Sequence, residues 1–267
     1  MNYSFMSFSC PDLTLDEMLS LAKTLGYNAI EPRSVSNHAH GVEPEIDAEQ
    51  RAVIKEKAAN SGIALCCVAT SCRYADPATV GLNISDTHRF IDLAGDIGVS
   101  RLRVFGGKIG DGLSREDAID EVSRALVTVA HHADERDVIL CLETHDDWCD
   151  PVHVAEVMRR ADHPNIAVNW DILHPVRTAR YTVDQAFDIL QPWIEHVHVH
   201  DSIDEEGKFV LTPIGEGICD HRRVLELLKS DVYTGYLSGE WINWEPHETH
   251  LPRELATMRK YEVELKT

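Results

Sequence analysis

The chain has 45 acidic and 25 basic residues among 267, a net charge of −20; a field of that sign repels phosphate backbones and anionic bilayers, which argues against nucleic acid and membrane surfaces as partners. The hydrophobic share of 43% is enough for a sizeable core, but no apolar run approaches the ~20 residues that span a bilayer. Seven cysteines stand at positions 10, 66, 67, 72, 141, 149 and 219 without a CxxC pair; the odd count and the lack of a secretory leader predict reduced thiols in a cytoplasmic protein.

Residues 3–9 read as a short strand ended by Pro11 and Asp12. Leu15, Met18, Leu19, Ala22 and Leu25 recur at helical spacing, which predicts a helix over 14–25 closed by Gly26. Strands are then expected over 27–33, 63–69, 101–105, 138–142, 166–170, 194–200 and 235–238. Helices are expected between them over 47–60, 83–97, 114–135, from 151, over 182–190, over 219–229, and from 248 to the end. Asp47 and Ser114 supply helix caps. Eight strand–helix units with no low-complexity linker predict one α/β domain over 1–267, a (β/α)8 TIM barrel. An open Rossmann-like sheet is the alternative, but no G-x-G-x-x-G follows the first strand.

In such barrels chemistry sits at the C-terminal strand ends. Four successive strands end in metal-ligand residue types: Glu143, Asp171, His198 and Glu240. Parity supports convergence, because Cys141 and Glu143 share one face while Leu140 and Leu142 share the other. Three converging carboxylates repel one another unless a cation lies between them. Oxygen donors with one imidazole favour a single divalent cation, Mn²⁺ first, with Mg²⁺, Co²⁺ or Zn²⁺ as alternatives. The stretch Glu195-His196-Val197-His198-Val199-His200-Asp201 puts three histidines on one strand face. Spacing alone does not choose among them.

Several of these stretches together resemble the xylose-isomerase-like TIM-barrel superfamily. They are Glu143-Thr144-His145, Trp170-Asp171-Ile172-Leu173-His174, the histidine strand, Pro213-Ile214-Gly215-Glu216-Gly217 and Gly239-Glu240. This is the sugar phosphate isomerase/epimerase group, which also holds inosose dehydratases, ketose 3-epimerases and endonuclease IV of AP endonuclease family 2. The resemblance covers nearly the whole chain. It implies that His198 is the strand-seven ligand, that His174 binds substrate, and that Glu143 and Glu240 form the acid/base pair. Two departures stand out. Leu211, Thr212 and Pro213 replace the extra ligands of the trinuclear endonucleases, and no arginine lies between Asp201 and Glu206, where ketose 3-epimerases carry one.

A cation holding a carbonyl oxygen and its neighbouring hydroxyl acidifies the C–H between them by stabilising an enediolate. Returning the proton gives isomerisation or epimerisation of a sugar or sugar derivative. Losing a β-hydroxyl instead gives a lyase acting on a keto-inositol or keto-sugar. A non-catalytic sugar-binding barrel is the third reading. Around the centre, Glu31 and Arg33 share a face and suit either sugar hydroxyls or a mutual ion pair. His145 and His200 are expected to line the pocket, Lys108 to meet an anionic group, and Trp148 to stack on a sugar ring or pack in the wall. His38 and His40 read as solvated loop residues. Homo-oligomerisation is compatible with a barrel of this size.

Overall fold

A computed structural model describes residues 1–206 and 208–265. Gly207 and the last two positions of the expected 1–267 domain, Lys266 and Thr267, lie outside the described residues. The strands are β1 (Asn2–Met6), β2 (Ala29–Glu31), β3 (Ala64–Leu65), β4 (Val68–Arg73), β5 (Arg101–Phe105), β6 (Ile139–Glu143), β7 (Ile166–Asp171) and β8 (Ile194–Val199). An antiparallel hairpin of β9 (Asp201–Glu205) and β10 (Lys208–Thr212) follows, and then β11 (Tyr236–Gly239). All but the hairpin form one parallel sheet in the order β3-β2-β1-β11-β8-β7-β6-β5-β4.

The two ends of that order are consecutive pieces of one expected strand. The reading of 63–69 as continuous is corrected here: the ladder to β2 ends at Leu65, and Val68 already pairs with Leu102 of β5. Beyond the break, Arg33 bridges Ala69, with the Ser34 amide donating to the Ala69 carbonyl at 3.0 Å and the Ala69 amide to the Pro32 carbonyl at 2.9 Å. The sheet therefore closes, and the eight-stranded TIM barrel expected from the sequence is present.

The helices outside it are α1 (Leu15–Leu25), α2 (Ala48–Ser61), α3 (Val80–Ile97), α4 (Arg115–Glu135), α5 (Pro151–Ala161), α6 (Leu173–Arg177), α7 (Val183–Leu190), α8 (His221–Ser230) and α9 (His247–Glu264). Thr14 and Asp47 close capping boxes with Glu17 and Gln50. Gly26 ends α1 at φ +86°, a conformation that a side chain disfavours. The short helix α6 and the β9–β10 hairpin were not anticipated. Leu140, Leu142, Val168, Trp170, Val197 and Val199 join the core between sheet and helices; the Trp170 ring lies 5.7 Å from Phe187 of α7. Strand alternation thus sends the intervening polar residues toward the barrel axis. All seven cysteines are free and buried. Among the described residues, no helix is long and apolar enough to cross a membrane.

Candidate metal centre and active site

The register of the ladders brings the strand ends level. Asp171 pairs with His198, Glu143 with Asn169 and Ser238 with His198, and the Glu240 amide donates to the Val199 carbonyl at 3.1 Å. One ligand atom from each of Glu143, Asp171, His198 and Glu240 lies within 4.8 Å of the others. The first three residues are fully buried and Glu240 is 7% exposed.

Each ligand type is oriented by its neighbours. Asp171 Oδ1 accepts the amides of Leu173 and His174 at 2.9 and 3.1 Å, the first turn of α6, which leaves Oδ2 facing the site. His198 Nδ1 lies 3.3 Å from both Glu143 Oε1 and Glu240 Oε2. Its Nε2 lies 3.1 Å from Glu31 Oε1. Arg103, 1% exposed, places Nε 3.1 Å from Glu143 Oε2, donates Nη1 to the Thr70 carbonyl at 2.8 Å, and lies 4.1 Å over the Phe105 ring.

Electrostatics test whether a cation suits the cluster. Burial opposes charge on His198, yet Glu31 and Glu143 raise its pKa well above the ordinary imidazole value. Burial likewise opposes charge on Glu240, but its contact with His198 and the nearby Arg103 hold it down to about 2. Asp171 is also buried, and His200 and His174 hold it low. The cage thus draws positive charge in. Glu143 Oε2 and Asp171 Oδ2 are buried and lack a well-aligned hydrogen bond, their nearest partners being Arg103 Nε and His200 Nε2 at 3.1 Å, so both oxygens keep lone pairs that suit a cation. Three hard oxygens and one imidazole fit a divalent ion of the Mn²⁺ or Mg²⁺ type. A second group, Asp171, His174 and His200, brings its ligand atoms equally close but shares Asp171 with the first.

The other expected site residues divide. His200 Nε2 sits 3.1 Å from Asp171 Oδ2, and its Nδ1 lies 3.1 Å from the Glu240 carbonyl. His174, partly exposed, places Nε2 4.0 Å from Asp171 Oδ2. His145 stacks edge-on against His174 at 4.6 Å. Burial works against its charge, but Asp146, 3.1 Å away, carries its pKa up to about 9. These three rings form one wall of the mouth. Glu31 is corrected: it is fully buried and bonds His196 and His198 rather than Arg33, so neither sugar hydroxyls nor the expected ion pair occupy it. Arg33 instead donates to the Ser34 and Ala69 carbonyls and to Ser71. Trp148 is corrected too: fully buried, it donates to the Gly107 carbonyl at 2.8 Å and offers no face to a sugar. Lys108 is exposed in a hollow lined by Asp76, Pro77 and Asp111 and does not join the cluster. His40 is buried, against its reading as solvated, with Nε2 3.2 Å from the Arg33 carbonyl. Arg103 went unmarked in the sequence, although strand alternation puts it on the face of Arg101 and Phe105.

A closed parallel barrel with buried ligand-type side chains at its C-terminal mouth defines the class. The family model described as xylose isomerase-like TIM barrel matches residues 19–261, and the chain belongs to that family. A 3-dehydroshikimate dehydratase from Bacillus anthracis is 23% identical over 186 residues, 63% of this chain; the chain spans 65% of that relative's length. The L-ribulose-5-phosphate 3-epimerase UlaE of Salmonella paratyphi B is 25% identical over 248 residues, covering 84% of this chain and 81% of that one. Among solved structures, the probable 3-DHS dehydratase AsbF from Bacillus anthracis has a TM-score of 0.81 at 19% identity over 97% of this chain and 99% of that one. A xylose isomerase-like TIM barrel protein from Mycobacterium smegmatis, in complex with magnesium, has a TM-score of 0.73 at 17% identity, covering 98% and 96%. At these identities the two structures speak for the fold.

Proposed function

We propose that the chain is a divalent-metal-dependent isomerase or epimerase acting on a sugar or sugar derivative. The observation that carries this reading is the buried quartet of Glu143, Asp171, His198 and Glu240, with ligand atoms within 4.8 Å of one another at one barrel mouth. These four residues would hold one divalent cation, with Mn²⁺ the first choice; when bound, it supplies the positive charge that polarises a substrate carbonyl. Glu143 and Glu240 approach His198 Nδ1 from two sides. One carboxylate removes the proton from the carbon beside the carbonyl, and the other returns it. Arg103 steadies the Glu143 carboxylate from the barrel interior. His174 and His145 supply ring N–H groups toward substrate oxygens, while His200, with both nitrogens held by Asp171 Oδ2 and the Glu240 carbonyl, steadies the Asp171 carboxylate. The burial of the cluster strengthens the electrostatic action of its charged groups on a bound substrate. The relatives are an epimerase and a dehydratase, which supports proton transfer beside a carbonyl as the shared step. The dehydratase match also favours a second reading, loss of a β-hydroxyl from a keto-sugar or keto-inositol.

Metal content is the first test. Mn²⁺-reconstituted protein is expected to hold about one ion per chain, and Glu240→Gln less. Keto-sugars and inososes incubated with it in D₂O should then exchange the carbon-bound proton, as seen by NMR, and Glu143→Gln should abolish exchange. A product lighter by one water selects the lyase. Protein that takes up no metal from added Mn²⁺ overturns the proposal.

A further inference from the structure

We infer that Glu31 is a positioning residue: its two carboxylate oxygens receive the Nε2 protons of His196 and His198, and this fixes the face that His198 turns to the metal. The inference rests on the metal reading above. Glu31 comes from β2 and the two histidines from β8, so the contact spans the barrel interior. Oε2 lies 2.8 Å from His196 Nε2 and Oε1 lies 3.1 Å from His198 Nε2. All three side chains are fully buried, so no water competes for either oxygen. A His198 ring with its proton on Nε2 presents an unprotonated Nδ1, the atom that faces Glu143 and Glu240 and lies 3.1 Å from Asn169 Nδ2, which donates to an unprotonated nitrogen. A ligand imidazole must present an unprotonated nitrogen, and the partner of its other nitrogen decides which one.

The need for a carboxylate follows from a count of donors. Two N–H groups require two acceptors, and a carboxylate has two. A glutamine at this position has one acceptor and one donor. One imidazole must then turn a bare Nε2 to the amide and carry its proton on Nδ1. If that ring is His198, the ligand atom is blocked. If it is His196, the proton goes to an Nδ1 that is buried without a partner. The first arrangement weakens metal binding, the outcome expected if Glu31 fixes the face of His198; the second leaves metal binding intact and would show that it does not.

Glu31, His196 and Cys66 also bring ligand atoms within 4.8 Å of one another. They do not form a second ion site. Both Glu31 oxygens already meet histidine nitrogens, and the Cys66 thiol donates to the Ile30 carbonyl at 3.4 Å.

The test compares wild type with Glu31→Gln. Mn²⁺ affinity is read from the free-ion EPR signal, folding from circular dichroism, and histidine tautomers from ¹⁵N NMR of the Zn²⁺-loaded protein. Wild type is expected to show His198 protonated at Nε2 and coordinated through Nδ1. Glu31→Gln is expected to bind Mn²⁺ at least tenfold more weakly while holding its fold. Mn²⁺ affinity within twofold of wild type overturns the role of Glu31 and leaves the metal reading standing. Wild-type protein that binds neither ion overturns the metal reading itself. If the variant does not fold, the wild-type spectrum decides: an Nδ1-protonated His198 overturns the inference. Two ions per chain overturn the exclusion of the Cys66 group.

Discussion

Asp201→Asn is expected to cost about 3–6 kcal/mol of stability. The Asp201 carboxylate is fully buried and accepts four backbone amides. Oδ1 receives Ser202 and Cys219 at 3.0 and 3.1 Å, and Oδ2 receives Gly215 and Gly217, both at 3.0 Å. These bonds tie the turn over 213–219 to the start of β9. An asparagine keeps one oxygen and turns its NH₂ toward two amides that also donate. Two charge-assisted bonds are lost and two buried donors have no acceptor, at roughly 1.5–3 kcal/mol each. There is no room to adjust, because a Cβ on Gly217 would lie 2.2 Å from Asp201 Oδ1. Urea titration followed by far-ultraviolet circular dichroism measures the loss. Asp204→Asn, which breaks only the part-exposed 3.0 Å pair with Arg177, is the control and should cost under about 1 kcal/mol. A loss below about 1 kcal/mol for Asp201→Asn would refute the reasoning, because the turn amides would have found other acceptors.

Two further outcomes follow from buried titratable groups. Burial and the neighbouring His38 hold His40 down from 6.5 to about 4, and its Nδ1 already accepts the Val42 amide at 3.0 Å. Between those values the unfolded chain binds a proton that the folded chain refuses. The stabilisation is therefore full above pH 6.5 and is lost as pH falls toward 4, up to roughly 3 kcal/mol. His40→Asn should flatten the dependence of Tm on pH in that window, and parallel curves would place the acid sensitivity elsewhere. Burial pushes the thiols of Cys10, Cys141 and Cys149 up to about 12, and the thiolate is the reactive form. Native protein should release less than about one equivalent from Ellman's reagent in the first minutes and all seven in guanidinium. A full equivalent released quickly from native protein contradicts that burial.

The barrel could be read from the sequence because its signals are local: capped amphipathic helices alternate with short apolar strands. The ligand-type residues could be read because strand parity sorts Glu143, Asp171 and Glu240 from their apolar neighbours. The level of the histidines could not. Which of them meets Asp171 depends on how β7 pairs with β8, and that ladder shifts between Val168 and Asn169. The partners of Glu31 lie 165 and 167 residues away, beyond any periodic pattern. The hairpin read as a loop because four of the six residues over 201–206 are acidic and Ile203 alone among them is apolar, too little to mark a strand. The wall role of Trp148 rests on a contact with Gly107, 41 residues away, which no local pattern marks.

The division of the third strand at Cys66 and Cys67 bears on how the protein behaves among copies of itself. A sheet with two free edges offers unpaired amides and carbonyls to any other extended chain. Here the two edges, β3 and β4, are joined through the peptide bonds of that dipeptide. Hydrogen bonds across a seam can open one at a time, but a covalent link two residues long keeps the edges facing each other when they do. A momentary opening at this seam therefore re-forms on its own strand before a neighbouring molecule can pair with it, and the fold carries its guard against sheet-to-sheet aggregation in the chain itself.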